Sequence, residues 1–261
     1  EEERSALHAL LILRHGKVIA EGYYAPYTPL SWQVVHSLSK TVTGMAVGFC
    51  IEEGLLSLDE KICDIFPERC DLLTKRKMRN VTVYHLLTMS SGVSFREYGA
   101  VLSADWIKSF LGSDLAFDPG SRFDYNSMNS YLLSAIVCRK SGTGLVDYLR
   151  PRLFSPLGIE TVAWETCPLG IEKGGWGLYL LPEDLAKLGL LYLQEGAWPI
   201  DGGQQSILPA AWVKASSKTY FFEDPEKKER GYGFQLWTDP DSHSYFFNGM
   251  FGQYVMIYPE Q

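Results

Sequence analysis

The chain begins and ends with short apolar segments that are typical of β-strands. Residues 9–24 form two apolar stretches around Arg14-His15-Gly16-Lys17, and Gly16 supplies a turn, so the pattern predicts a β-hairpin. Near the C-terminal end, three aromatic and β-branched segments predict further strands: residues 232–238, 243–248 and 253–258. Strands are therefore expected at both ends of the chain.

Between these strands the apolar positions recur at helical spacing. The first stripe follows Ser37 and runs through Val42, Met45, Ala46, Phe49 and Cys50, after which Gly54 ends the helix. Further helices are predicted at residues 83–89, 104–111, 128–140, 145–149, 183–194 and 210–215. This order predicts a single α+β domain over residues 1–261. An antiparallel sheet comes from both chain ends (about 1–30 and 228–261), and a mostly helical region (about 31–227) is inserted between them.

Composition supports a globular enzyme-sized domain and excludes several classes of partner. Of 261 residues, 46% are hydrophobic, and the net charge is −7, which argues against binding to a nucleic-acid backbone. No apolar run approaches the ~20 residues of a membrane span, and no signal peptide is visible, so a soluble protein of open compartment is expected. The five histidines form no ligand cluster, and neither a metal nor a cofactor is predicted.

The five cysteines match no zinc or redox spacing: Cys50, Cys63, Cys70, Cys138 and Cys167. We expect them to be buried free thiols. Any disulfide is expected between Cys63 and Cys70.

The first candidate for chemistry is an S-x-x-K sequence, Ser37-Leu38-Ser39-Lys40, at the start of the best-patterned helix. Three residues are nearly one helical turn, so Ser37 and Lys40 share a face. The helix N-terminus directs N–H groups toward the Ser37 oxygen, and a desolvated neutral Lys40 would accept its proton. Because a solvated lysine has a pKa of about 10.4, burial must lower that value by several units. Taken alone, Ser37 also fits a simple helix N-cap.

Tyr125 lies in a predicted loop just before the helix at 128–140. Pro119-Gly120 makes a turn upstream, and Ser127 fits the N-cap of that helix. A phenol presented there can protonate a leaving group or relay a proton beside an ammonium. A packing tyrosine is the alternative, since the chain contains 15 tyrosines.

Together these segments resemble the serine β-lactamase and penicillin-binding-protein superfamily, in its class C branch. Ser37-Leu38-Ser39-Lys40 resembles the nucleophile motif of that family, and Tyr125-Asn126-Ser127 sits where the family has Y-x-N. The resemblance covers nearly the whole chain and includes residues 53–59, 85–92, 174–177 and 183–189. It implies a β-lactamase/transpeptidase-like fold in which Ser37 is acylated while Lys40 and Tyr125 transfer protons.

The third motif of the family, K-T-G or H-x-G on a strand, is best matched by Phe247-Asn248-Gly249. In the family, the N–H after that glycine and the N–H of the nucleophile form an oxyanion hole. The resemblance therefore implies backbone donors from Ser37 and Met250. The substrate-binding residues expected on the same grounds are Ser127, Asn248 and Gly249, with Trp176 and Phe247 as apolar pocket walls.

Three departures from the family pattern change the expected substrate. Ser127 replaces the usual Asn, which weakens one substrate hydrogen bond. Phe247 replaces a cation that holds a substrate carboxylate, so penicillins and D-Ala-D-Ala termini are less expected. The family would also continue past Gln261 with another strand and a C-terminal helix. We therefore expect a fragment, or completion by another segment or subunit, and an exposed sheet edge.

The sequence thus predicts a serine acyl hydrolase that cleaves an amide or ester of a small-molecule or peptide-like substrate through an acyl-enzyme on Ser37. D-Ala-D-Ala carboxypeptidase or true β-lactamase activity is the alternative within this class. A catalytically weak binding domain that retains the fold is the alternative of another class.

Overall fold

The computed structural model describes residues 7–100 and 102–259. The helices are α1 (Ser39–Glu52), α2 (Ile62–Ile65), α3 (Leu72–Lys77), α4 (Val83–Leu87), α5 (Glu97–Ala100), α6 (Trp106–Gly112), α7 (Ser127–Ser141), α8 (Leu145–Leu149), α9 (Pro182–Leu193) and α10 (Ala210–Ser216). The strands are β1 (Ala9–Arg14), β2 (Lys17–Tyr23), β3 (Gln33–Val34), β4 (Ala163–Trp164), β5 (Leu178–Leu180), β6 (Ala197–Ile200), β7 (Gly203–Ser206), β8 (Phe221–Phe222), β9 (Gly231–Tyr232), β10 (Trp237–Asp239), β11 (Ser244–Gly249) and β12 (Gln253–Ile257). The predicted α+β class, with antiparallel strands around a helical region, is confirmed.

The strands from the two chain ends form two separate sheets. The C-terminal strands make a five-stranded antiparallel sheet in the order β12-β11-β10-β9-β8, whereas β1 pairs only with β2. The single sheet predicted from the sequence is therefore wrong for the described residues. One helix connects the two sheets, because α9 packs against both β1 and β12.

The segment 232–238, predicted as one strand, is divided into β9 and β10 by a tight turn. The N–H of Gly233 donates to the carbonyl of Leu236 at 2.9 Å, and Gln235 adopts a φ of 63°. The apolar pattern concealed this turn because Phe234 and Leu236 are buried on either side of Gln235.

Two helices at the centre of the molecule carry the candidate chemistry. In α1 every residue from Ser39 to Cys50 is buried, and in α7 the same holds from Ser127 to Val137. The polar side chains of α1 are satisfied by loops, since Thr41 Oγ1 donates to the Gln235 carbonyl and Thr43 Oγ1 to the Gly174 carbonyl, both at 2.8 Å. These bonds join α1 to the loops that surround its N-terminal end.

Gln235 connects these elements through a buried side chain. Its Nε2 donates to the carbonyls of Leu86 and Leu87 at 3.1 and 3.0 Å, and its Oε1 accepts from Ser130 Oγ. Together with the bond from Thr41, these contacts tie α1, α4, α7 and the β9–β10 turn to one residue. Buried polar groups that are fully bonded in this way fix the relative positions of the elements they join.

All five cysteines are free thiols. Four are buried and Cys138 is half-buried. The pair singled out from the sequence is brought together, with the Sγ atoms of Cys63 and Cys70 2.6 Å apart.

The end of β11 approaches the segment before Ser37 so closely that only glycine fits. A Cβ on Gly249 would lie 2.4 Å from the carbonyl oxygen of Val35. Since that oxygen belongs to the backbone, no side-chain rotation relieves the contact. Gly249 thus sets the distance between the sheet and the candidate nucleophile.

We expect Gly249→Ala to lower the free energy of unfolding by about 1–3 kcal/mol, the usual range for overpacking. The matched control is Gly203→Ala at the start of β7, where an added Cβ meets nothing within 4 Å. That variant should stay within about 0.5 kcal/mol of the parent. Urea denaturation of the three proteins measures both effects, and equal stability of the two variants would contradict the close approach.

Candidate active site

Ser37 lies in a short 3-10 turn, His36–Leu38, which runs directly into α1. His36 has a φ of 45°, an uncommon conformation for a residue with a side chain. Ser39 stabilises the turn, because its Oγ donates to the His36 carbonyl at 2.6 Å and accepts from the Leu178 N–H at 3.3 Å. The result is a partly exposed Ser37 at the N-terminal end of a buried helix.

Lys40 is one of the most buried charged residues in the described chain, with 1% of its surface exposed. Its Nζ lies 3.0 Å from Ser37 Oγ and 2.7 Å from the carbonyl oxygen of Gly175. Burial lowers the pKa of Lys40 from 10.5 to about 7, and the negative charge of Glu97 acts in the opposite direction. A substantial fraction of this amine is therefore neutral at neutral pH.

Two consecutive glycines allow the partner carbonyl to reach Lys40. A Cβ on Gly175 would lie 2.7 Å from the Ser127 carbonyl oxygen, and one on Gly174 would lie 2.5 Å from that of Ser130. Gly174 also has a φ of 61°, which favours glycine. The 174–175 loop therefore packs directly on the first turn of α7 and presents a backbone acceptor to Lys40.

Tyr125 faces the same amine from the loop before α7. The Lys40 Nζ lies 4.9 Å from the centroid of the Tyr125 ring. Burial raises the pKa of Tyr125 to about 12, although a hydrogen bond with the Ser37 side chain acts to lower it. The phenol is accordingly protonated at neutral pH.

Tyr125 is held by a small aromatic cluster that is separate from the main core. Its ring stacks on Trp237 at 5.5 Å and meets Tyr232 edge-on at 6.0 Å. Its carbonyl accepts from Arg96 Nη1 at 2.8 Å, and Arg96 also pairs with Asp124. Ring and backbone are both fixed, so the hydroxyl is directed at Ser37.

The cap of α7 is Asn126 and not Ser127, contrary to the sequence-based prediction. Asn126 Oδ1 accepts from the Met128 N–H at 3.0 Å, while its Nδ2 donates to the carbonyls of Val93 and Phe95 at 2.9 and 3.0 Å. An amide group can accept one hydrogen bond and donate two, whereas a serine hydroxyl has only one proton to donate. Ser127 is the first residue of α7 and lies buried against Gly175.

The structure brings part of the third motif to the site. Gly249 packs against Val35, and Met250, 61% exposed, follows it at the start of the β11–β12 turn. Within the described residues, neither the Ser37 nor the Met250 amide donates to a backbone carbonyl. Asn248 is half-exposed on β11. These positions are compatible with the predicted oxyanion donors.

Phe247 is not brought to the site, so its prediction as a pocket wall is corrected. Its side chain is fully buried and meets Tyr192 of α9 edge-on at 5.1 Å. Alternation along β11 sends Phe247 to the face covered by α9 and Asn248 to the other. Trp176, in contrast, is half-exposed beside Gly175, where it stacks on Trp106 at 5.8 Å.

Several residues of the site have roles that the sequence did not predict. Gly175 contributes a carbonyl, and Trp237, Tyr232 and Arg96 act on Tyr125 from distant segments. The resemblance singled out residues 174–177 as a stretch that borders the pocket, without assigning the Gly175 carbonyl a role. No group of three potential metal ligands occurs among residues 7–100 and 102–259. None of the helices in those ranges combines the length and apolarity required to cross a membrane.

We expect Lys40→Met to stabilise the protein, because methionine replaces a buried ionisable side chain with an apolar one of similar volume. Between pH 7 and 10.5 the unfolded chain binds more protons than the folded one, since the folded pKa is about 7. The free energy of unfolding of the parent protein therefore rises with pH in this window, and the cost of burying Lys40 is largest at and below pH 7. The gain in Tm should be of the order of 5 °C or more at pH 7 and should shrink toward pH 10.5.

Thermal denaturation across that pH range measures the effect. Lys214→Met serves as the matched control, because Lys214 is exposed on α10. A gain for Lys40→Met that does not vary with pH would contradict a depressed Lys40 pKa.

The fold of this chain is also found in proteins of known structure. The structure is similar to that of EstCE1, a hydrolase with promiscuous acyltransferase activity. The TM-score is 0.80 at 18% sequence identity, over 97% of this chain and 85% of that chain. At this identity the likeness concerns the fold alone.

Two relatives share more of the sequence. The 6-aminohexanoate-dimer hydrolase of Paenarthrobacter ureafaciens is 27% identical over 236 residues, which are 82% of this chain and 57% of that protein. The beta-lactamase of Escherichia coli strain K12 is 27% identical over 155 residues, 58% of this chain and 40% of that protein. The chain thus spans little more than half the length of the first relative. The model of the Beta-lactamase family matches residues 4–261, and the chain therefore belongs to the beta-lactamase family.

Proposed function

We propose that this protein is a serine acyl hydrolase that cleaves an amide or ester through an acyl-enzyme on Ser37. The observation that carries the proposal is the buried Lys40 amine, 3.0 Å from Ser37 Oγ and with a pKa of about 7. A lysine that is neutral at working pH and in contact with a hydroxyl is equipped to be a general base.

In the acylation step, Ser37 Oγ attacks the substrate carbonyl carbon while its proton passes to the Lys40 nitrogen. A neutral amine has two N–H donors and one lone pair. The Gly175 carbonyl accepts one N–H at 2.7 Å, which orients the amine. The lone pair is then available to Ser37, so this contact orients the amine while burial sets its pKa.

The carbonyl electron pair moves to oxygen as the C–O bond to Ser37 forms. We assign stabilisation of this oxyanion to the backbone N–H groups of Ser37 and Met250, which donate to no other backbone carbonyl in the described residues. Loss of one such donor typically costs about 2.7–4 kcal/mol of barrier.

Collapse of this intermediate breaks the bond to the leaving nitrogen or oxygen, which must take up a proton. Tyr125 is a protonated phenol with a pKa of about 12 and hydrogen-bonded to Ser37, so it can donate that proton and recover one from Lys40. Water then attacks the acyl carbon while Lys40 takes its proton. The bond from that carbon to Ser37 Oγ breaks, the proton passes from Lys40 to Ser37 Oγ, and the acid is released. This assignment makes Lys40 the base and Tyr125 the proton relay.

The substrate class follows from what the site lacks. Phe247 stands where the resemblance expects a carboxylate-binding cation, and its ring is buried against α9. This arrangement favours an amide or ester without a carboxylate at that position over a penicillin. The 6-aminohexanoate-dimer hydrolase relative supports linear amides as one substrate type.

Intact-mass analysis after exposure to p-nitrophenyl acetate and, separately, to penicillin tests the nucleophile. We expect a mass increase with the ester in the parent protein and none in Ser37→Ala. Ser206→Ala is the matched control, because it removes an exposed serine hydroxyl on β7 and should still form the adduct. An adduct that persists in Ser37→Ala would refute the assignment. An adduct with penicillin but not with the ester would favour β-lactam chemistry.

The pH dependence of the acylation rate tests the base. Acylation needs neutral Lys40, so the rate should rise with pH through about 7 and then level off. Lys40→Ala and Lys40→Arg should both lose about a hundredfold or more, because an arginine stays charged. Tyr125→Phe should retain the limb near pH 7 at a lower plateau. Disappearance of that limb in Tyr125→Phe, with Lys40→Ala unaffected, would transfer the base role to Tyr125.

A further inference from the structure

The turn after β11 carries an aromatic side chain in an unfavourable setting. Phe251 has a φ of 65°, in the left-handed region, and 81% of its surface is exposed. A bulky residue is rare in that conformation, which Gly or Asn adopts at lower cost. Exposure of a large ring forgoes the free energy of burying it. Neither the backbone conformation nor the burial of Phe251 therefore explains a phenylalanine at this position by its contribution to stability.

The main contact of this ring in the described chain is with the residue that precedes the nucleophile. Phe251 meets His36 edge-on, with ring centroids 5.4 Å apart, and His36 is itself left-handed, with a φ of 45°. Two residues with a left-handed backbone thus contact each other, and one of them immediately precedes Ser37. Strain of this kind persists at sites of function more often than elsewhere.

The position of Phe251 relative to the chemistry defines what it can touch. Met250, 61% exposed, precedes Phe251, and its N–H is the proposed donor to the carbonyl oxygen of the substrate. When the carbonyl oxygen of the substrate is bound by these donors, the chain attached to its carbonyl carbon must extend past one side or the other of the β11–β12 turn. An exposed ring beside an exposed methionine offers an apolar surface on that path.

We propose that Phe251, held against His36, is a specificity-determining residue that binds an apolar acyl chain of several methylene groups. The inference rests on the proposed function and extends it to a substrate class: amides or esters of medium-chain apolar acids. Contact with such a chain covers the ring that the free protein leaves exposed. Each methylene fully buried in this way favours binding by roughly fourfold.

Hydrolysis of p-nitrophenyl acetate, butyrate and hexanoate tests the inference, because the leaving group is constant. For the parent protein we expect kcat/KM to be about tenfold or more higher for the hexanoate than for the acetate. Phe251→Gly removes the ring in a conformation that suits glycine, so the turn is relieved of strain and not disrupted. In this variant the hexanoate-to-acetate ratio should fall to about two or less.

Two further variants separate the ring from its surroundings. Phe251→Leu keeps an apolar side chain at the same φ and should retain most of the selectivity. Leu72→Ala, at an exposed apolar position on α3 (85% exposed), should leave both rates and their ratio unchanged. An unchanged ratio in Phe251→Gly would overturn the inference while leaving the serine hydrolase intact. Absence of turnover and of a Ser37 adduct with every ester would overturn the proposed function and the inference with it.

Discussion

The burial of one amine is the constraint on which the rest of this structure depends. Lys40 can act on Ser37 only if water is kept away, since hydration would restore a pKa near 10.5. The molecule achieves this by surrounding the first turn of α1 with the 174–175 loop, the start of α7 and the Tyr125 ring. The 174–175 loop lies about 50 residues after the segment that supplies both Tyr125 and the start of α7.

Keeping those elements in place requires polar contacts as well as apolar packing. Gln235 joins α1, α4 and α7 to the turn that carries Trp237, and Thr43 bonds the 174–175 loop to α1. Apolar packing tolerates small shifts, whereas a hydrogen-bond network inside a low-dielectric core is strongly directional. The aromatic support of Tyr125 and the surroundings of Lys40 are thereby coupled.

The parts of the site that the sequence revealed are those whose chemistry is local. Ser37 and Lys40 stand one turn apart, and Tyr125 precedes a well-patterned helix. The family resemblance then combined these local patterns into one predicted site. The roles of Gly175 and Trp237 were not predicted, because they arise from contacts between residues that are distant in the sequence. The Gly175 carbonyl, for example, meets a lysine 135 residues away. Phe247 was misjudged for a related reason, since only pairing along β11 decides which face a residue takes. The division of 232–238 into β9 and β10 likewise depends on a turn that buried residues conceal.

The hydrogen bond from Lys40 to Gly175 has a consequence for how the site can vary. Its acceptor is a main-chain oxygen, and so it is present whatever side chain occupies that position. Amino-acid replacement can alter the contact only by moving the loop, and the tight fit against Ser127 and Ser130 makes most larger residues incompatible. The position of the Gly175 carbonyl relative to Lys40 therefore depends on the surface of α7 against which the loop packs. Substitutions in the first turn of α7 can change this hydrogen bond, whereas substitutions at residue 175 cannot remove its acceptor.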